Sequence, residues 1–174
     1  MPTIDPQLMT RDVTDLLATV RQTRDWSILP IVADALLDAG AADEFAATFR
    51  DGSCEWKLEA AVEDYVAVCD AIAAEHWQEM GFTFSAPPKH RADYISDKWV
   101  RVVRLEQRNG VFEVSSVHSF VARADNRTKS LGTVARGDIH KPASFKAPAK
   151  HARGSVFGDA VRKSLSTYGP NYLR

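Results

Sequence analysis

Two runs rich in β-branched and aromatic residues, 98–106 and 111–121, sit on either side of Arg108-Asn109-Gly110. Asn-Gly between apolar runs supplies the pair of positive φ angles that a two-residue hairpin needs. These segments are therefore read as antiparallel partners. Strict alternation places Phe112, Val114, Ser116, His118 and Phe120 on one face of the second strand. Val111, Glu113, Ser115, Val117 and Ser119 fall on the other. A turn at Asp125-Asn126-Arg127 leads into a further extended piece at 130–135, and Gly137-Asp138 opens another through Ile139.

The chain before Gly81 has a helical period. Asp5-Pro6 reads as an N-cap followed by proline at the first helical position. Val13, Leu16, Leu17 and Val20 then form one apolar stripe. A second helix begins near Asp25 or Ser27 and carries Pro30 in its first turn. It stripes Ile31, Val32, Ala35 and Leu36, and closes at Gly40. A third, about 42–50, shows Phe45 and Phe49 on one side and stops at Gly52. The longest spans about 55–80, with Leu58, Ala61, Val62, Tyr65, Cys69, Ile72, His76 and Trp77 on one broad side. Such a face suits packing on a sheet, with Cys69 and His76 as core residues. Helices followed by strands predict an α+β fold: N-terminal helices packed on a three- to four-stranded antiparallel sheet at about 94–140. A basic loop and a short helix near 159–166 complete it. The domain reading is an acidic helical region at 1–81 and a linker at 82–93 marked by Pro87-Pro88. A basic β region at 94–174 follows.

A length of 174 residues suits one core, or one core with a small appended unit. The charged fraction of 26% with 9% aromatic residues excludes wholesale disorder. No apolar run approaches about 18 residues and no basic-then-apolar start is present, so neither a membrane span nor a secretory signal is expected. The two cysteines lie outside any CxxC pair or Cys/His cluster, which removes a structural zinc site. No metal or cofactor is expected, and the expected location is the cytoplasm. The net charge of −1 hides a segregation. Residues 1–88 carry 5 Lys+Arg against 16 Asp+Glu, and residues 89–174 carry 17 against 7. That layout points to a surface for a polyanion, an acidic interaction surface, or mutual neutralisation of the halves.

The basic residues concentrate at 136–153. Arg136, His140, Lys141, Lys146, Lys150, His151 and Arg153 are opposed there only by Asp138. Pro142 and Pro148 forbid a continuous helix, so an extended loop over the sheet is predicted. Its cations suit phosphates, with Phe145, Trp99 or Tyr94 available to stack on bases. The expected partner is nucleic acid or a nucleotide. In the alternative, Lys146 and Lys150 snorkel over the core while Ala147, Pro148 and Ala149 pack beneath. The stretch Gly137-Asp138-Ile139-His140-Lys141-Pro142 through Lys146-Ala147-Pro148-Ala149-Lys150 to Arg153-Gly154 resembles the C-terminal signature of small uncharacterised proteins of tailed bacteriophages. The ending Tyr168-Gly169-Pro170-Asn171-Tyr172-Leu173-Arg174 is similar to their close, and the resemblance covers about 94–174. It implies a phage or prophage origin and a shared small β fold, and no activity. Residues 25–50 resemble a short bacterial helical-pair motif, which implies a protein-contact or capping unit.

No GxSxG, Walker loop, HExxH or GxGxxG after a strand is present, so a non-enzymatic role is expected. His118, His140 and His151 with Asp138 are the one set with a nuclease-like composition, against a chance grouping in a basic tail. A host protein is the alternative partner, inhibited through the acidic helix face of Glu59, Glu63, Asp64, Asp70, Glu75 and Glu79.

Overall fold

Thr10 begins the first helix, its side-chain oxygen accepting the Val13 N–H. The computed structural model describes residues 10–83, 85–158 and 161–171; the Asp5-Pro6 start lies outside the described residues. Helix α1 (Arg11–Thr23) buries Val13, Leu17 and Val20, the stripe expected from its spacing. Asp25 accepts the Ser27 N–H and caps a single 3-10 turn, Trp26–Ile28. The chain then enters α2 (Leu29–Asp38), where Pro30 sits in the first turn and its missing N–H costs no bond. Leu29, Val32, Ala33 and Leu36 point inward, and α3 (Asp43–Arg50) adds Ala46 and Phe49. These side chains, with Cys54, make one apolar core.

The chain divides into two compact units, residues 1–60 and 61–174, and the division falls inside α4 (Glu55–Glu79). In the second unit, Val62, Tyr65, Cys69 and Ala73 recur three to four positions apart along α4 and are all buried. They serve a five-stranded antiparallel sheet with the order β1 (Lys89–Tyr94), β2 (Trp99–Arg108), β3 (Val111–Ala122), β6 (Asp138–Pro142), β7 (Pro148–Ser155). Asn109 and Gly110 turn β2 into β3 with φ of 52° and 81°, the hairpin geometry their sequence demands. Two small sheets pair β4 (Asn126–Thr128) with β5 (Gly132–Val134), and β8 (Leu165–Ser166) with β9 (Gly169–Pro170). The fold is α+β.

Several boundaries differ from those read in the sequence. The sheet has five strands, not three or four. The edge strand β1 uses residues assigned to the linker; β6 begins in the extended piece expected through Ile139, but its end and β7 use the stretch assigned to a loop. The prolines are accommodated because Pro142 ends β6 and Pro148 begins β7, and the two sit opposite each other at the open end of that hairpin. A 3-10 turn, Val161–Ser164, and β8 stand where a helix was expected; Asp159 lies outside the described residues.

Strand β3 also departs from simple alternation. Val102 pairs with Ser119 while Val103 pairs with Val117, so His118 is surplus. Arg104 pairs with Ser116 and Leu105 with Val114, so Ser115 is a second surplus residue. Each bulge turns the strand over by one position. Phe112, Val114, Val117 and Phe120 therefore share the face away from α4, while Ser116, Ser119 and Val121 face the helix.

Candidate functional site

The bulge at His118 turns its ring inward beneath α4. Tyr65 on α4 donates its hydroxyl to Ser119 Oγ at 2.8 Å, and Ser119 Oγ lies 3.3 Å from His118 Nδ1. Cys69 Sγ is 3.9 Å from the same nitrogen. A backbone hydrogen bond joins the His118 ring to Ser166 in β8. One ordering of protons satisfies the set: Tyr65 O–H to Ser119, Ser119 O–H to Nδ1, and Nε2–H to the Ser166 carbonyl. Burial, followed by the neighbouring His90, pushes the His118 pKa down to about 3. The ring is therefore neutral at pH 7, as this ordering requires. Burial also raises the Tyr65 hydroxyl well above its usual value and takes the Cys69 thiol up to about 12.

His90 on β1 stands beside it, ring centroids 4.7 Å apart. Its Nδ1 is 2.9 Å from Asp70 Oδ1, and the same oxygen accepts the His90 backbone N–H at 2.7 Å. Burial lowers the His90 pKa, with the Asp70 carboxylate only partly offsetting it. Arg104, opposite His90 in the register, donates to the Thr167 carbonyl and lies over the Tyr168 ring. Gly169 comes so close to the His118 carbonyl oxygen that a Cβ there would stand 2.8 Å from it. The segment 165–170 is thus held against β3 by His118, Arg104 and a glycine that admits close approach. His76, expected in the core, has a one-third exposed side chain and meets the edge of Tyr168.

The other face of the sheet is aromatic and basic. Trp99 presents its ring edge-on to Phe120 and His140. His140 is 1% exposed, with Nδ1 2.8 Å from the Ala149 carbonyl oxygen. Arg101 is fixed by Asp93, donates to the Phe145 carbonyl, and holds its guanidinium 4.5 Å from the centre of the Phe145 ring. Burial raises the Asp93 pKa, but bonds from Arg91 and Arg101 outweigh it and hold the carboxyl below its ordinary value. Phe145, 51% exposed, lines an open pocket with Val117, Pro142, Ala143 and Ser144.

The candidate cations do not form one cluster. Lys146, Lys150 and His151 are exposed along the β6–β7 hairpin. Lys141 and Arg153 are half-buried, and His140 is a core residue held by the backbone rather than a ligand-facing one. Arg136 is occupied elsewhere, donating to the Arg123 carbonyl and lying over Phe157. His118 and His140 belong to opposite faces of the sheet, and Asp138 accepts the Ala135 N–H. The nuclease-like set therefore does not converge. Tyr65, Asp70, His90, Arg104 and Ser119 were not read as one group because their partners are on other elements. The signal available was the alternation hidden in residues 89–94 after Pro87-Pro88.

The compact units also redistribute the charge. Residues 1–60 hold 5 Lys+Arg and 11 Asp+Glu, a net of −6, and residues 61–174 hold 17 and 12, a net of +5. Carboxylates from α4 already serve the second unit: Asp70 meets His90 and Lys89, and both oxygens of Glu75 bond Arg162. Three arginines of β1 and β2 are engaged too, Arg91 and Arg101 with Asp93, and Arg104 with Glu106. Among the described residues no carboxylate lies within ion-pair distance of Lys146 or Lys150.

Fold and site together define an α+β protein whose sheet holds a pair of buried histidines under one long helix and a basic, aromatic surface on its other side. Residues 54–168 match the Family of unknown function (DUF7717), and the chain belongs to that family. No curated protein and no solved structure matches it. The matched span takes in all of α4 and the five-stranded sheet, whereas α1–α3 precede it. Among the described residues no helix is long and apolar enough to cross a membrane, and no group of three or more His, Cys, Asp or Glu is placed to hold a metal.

Proposed function

We propose that the β6–β7 hairpin, with the sheet face under Phe145, binds nucleic acid or a nucleotide, and that the protein is a non-enzymatic phage accessory protein. One observation carries the binding half. Lys146 and Lys150 are exposed on the hairpin that carries the exposed Phe145, while Arg91, Arg101 and Arg104 on the neighbouring strands are matched by carboxylates. Unmatched ammonium groups neutralise phosphates and release counterions, whereas paired arginines have little left to offer. The likeness of residues 137–154 to the phage signature supports the accessory role. The reading through the acidic helix face has less to work with, since Asp70 and Glu75 are engaged within their own unit.

The test is fluorescence anisotropy of labelled oligonucleotides across a salt series. Each phosphate contact contributes a slope of about −0.7 in log K against log salt for single strands. Replacing both lysines (Lys146→Ala with Lys150→Ala) is expected to flatten the slope by about 1.4. Absence of binding at low salt, or a slope untouched by the double substitution, overturns the proposal.

A further inference from the structure

We infer that the ligand of this face is single-stranded nucleic acid, one base of which stacks on Phe145. This rests on the polyanion reading above and adds what the phosphates alone cannot specify. Of the three aromatic candidates, two are spent. Trp99 is half-buried with its ring set edge-on against Phe120 and His140, and Tyr94 is half-buried beneath the Arg123 guanidinium. Phe145 is different. Arg101 grips residue 145 twice, through its carbonyl oxygen at 3.4 Å and through its ring at 4.5 Å, and Asp93 holds Arg101 in turn. The ring is thus oriented before any ligand arrives, yet half of its surface remains in water. A large apolar ring held by Arg101 and exposed at a loop tip has no role in the core, and ordering it beforehand removes part of the entropy that binding would otherwise cost.

The surroundings choose the ligand. Val117, Pro142, Ala143 and Ser144 form the open pocket beside the ring, and Lys146 follows directly in the chain. An apolar platform next to an unmatched ammonium group complements a base attached to a phosphate. A duplex keeps its bases stacked inside, so it can reach Lys146 and Lys150 but not the face of Phe145. Further along the same sheet face, Phe112 and Val114 are exposed as well, which gives an extended strand more apolar surface to follow.

The experiment compares single-stranded DNA and RNA of about ten nucleotides with duplexes of the same sequence, using wild type, Phe145→Ala and Phe145→Trp. Single strands are expected to bind wild type more tightly than duplex. Phe145→Ala should weaken single-strand binding roughly 5- to 100-fold while leaving the salt slope and duplex binding unchanged. Phe145→Trp should retain affinity, and its exposed indole should lose emission when a base stacks on it. Equal binding of single and double strands, with Phe145→Ala neutral and no quenching in Phe145→Trp, refutes stacking but leaves the phosphate-binding proposal standing. No binding of either form removes both.

Discussion

Ser119→Ala is the substitution that most directly tests the hydrogen-bond order beneath α4. In the native protein Tyr65 donates to Ser119 Oγ, and Ser119 faces His118 Nδ1. Tyr65, Ser119 and His118 are all at most 2% exposed. Removing Oγ leaves the Tyr65 hydroxyl and His118 Nδ1 with only the weakly bonding Cys69 sulfur as a partner, and each buried group so under-served costs up to roughly 1–3 kcal/mol. The expected loss is therefore roughly 2–5 kcal/mol. Tyr65→Phe deletes the donor at the end of the chain and leaves Ser119 serving His118, so it should cost only about 0.5–1.5 kcal/mol. The double variant strands one group rather than two, so its loss should fall short of the summed single losses by about 1 kcal/mol. Urea unfolding followed by far-UV circular dichroism supplies the four free energies, provided the slopes with denaturant agree. If Ser119→Ala costs no more than Tyr65→Phe, or if the two losses add, the proposed order of donors is wrong.

Stability should also depend on pH through the histidines. The folded pKa of His118, about 3, lies below its ordinary value of about 6.5, so the unfolded chain binds the proton first. Stability is then complete above pH 6.5 and declines as pH falls towards 3, by up to about 1.4 kcal/mol per pH unit for this group; His90, shifted the same way, adds to the decline. His118→Gln should flatten the acid limb of a denaturation series, and an unchanged limb argues against burial of a neutral ring. Gly169→Ala places a methyl carbon 2.8 Å from the His118 carbonyl oxygen at a φ of 130°, and should cost roughly 1–3 kcal/mol. Faster hydrogen exchange confined to residues 165–171 is the expected signature, and unaltered exchange there contradicts the close approach. With its thiol at about 12, Cys69 should react with a thiol reagent at pH 8 about a thousandfold more slowly in the native protein than after unfolding. Comparable rates would mean the thiol is reachable.

The parts legible in the sequence are those specified by near neighbours. Val13, Leu17 and Val20 announce the inner face of α1, and Asn109-Gly110 announces the turn between β2 and β3, because both signals are complete within a few residues. The exposed lysines were legible for the same reason: a run of cations between prolines rarely hides. What failed to show was set at a distance. Residues 89–93 look like a charged linker until β2 supplies their hydrogen bonds, and Asp70 gives no hint that His90 will become its partner. Pro142 and Pro148 spoke only against a helix, and nothing local revealed that they would fall at strand ends. The face assignments along β3 failed only between Val114 and Ser119, coming back into phase after the second bulge, because surplus residues are decided by pairing with β2.

Those two surplus residues are unequal in what the protein can give up. Dropping one residue between Val114 and Ser116 could be absorbed by closing the irregularity at Ser115, whose side chain is exposed and whose loss would leave the pairs from Ser116 onward in phase. Dropping one between Val117 and Ser119 has no such refuge, for it would erase the ring that ties β3 to Ser166 in β8. Length variation in this strand should accordingly be tolerated on the turn side of Ser116 and fatal on the other.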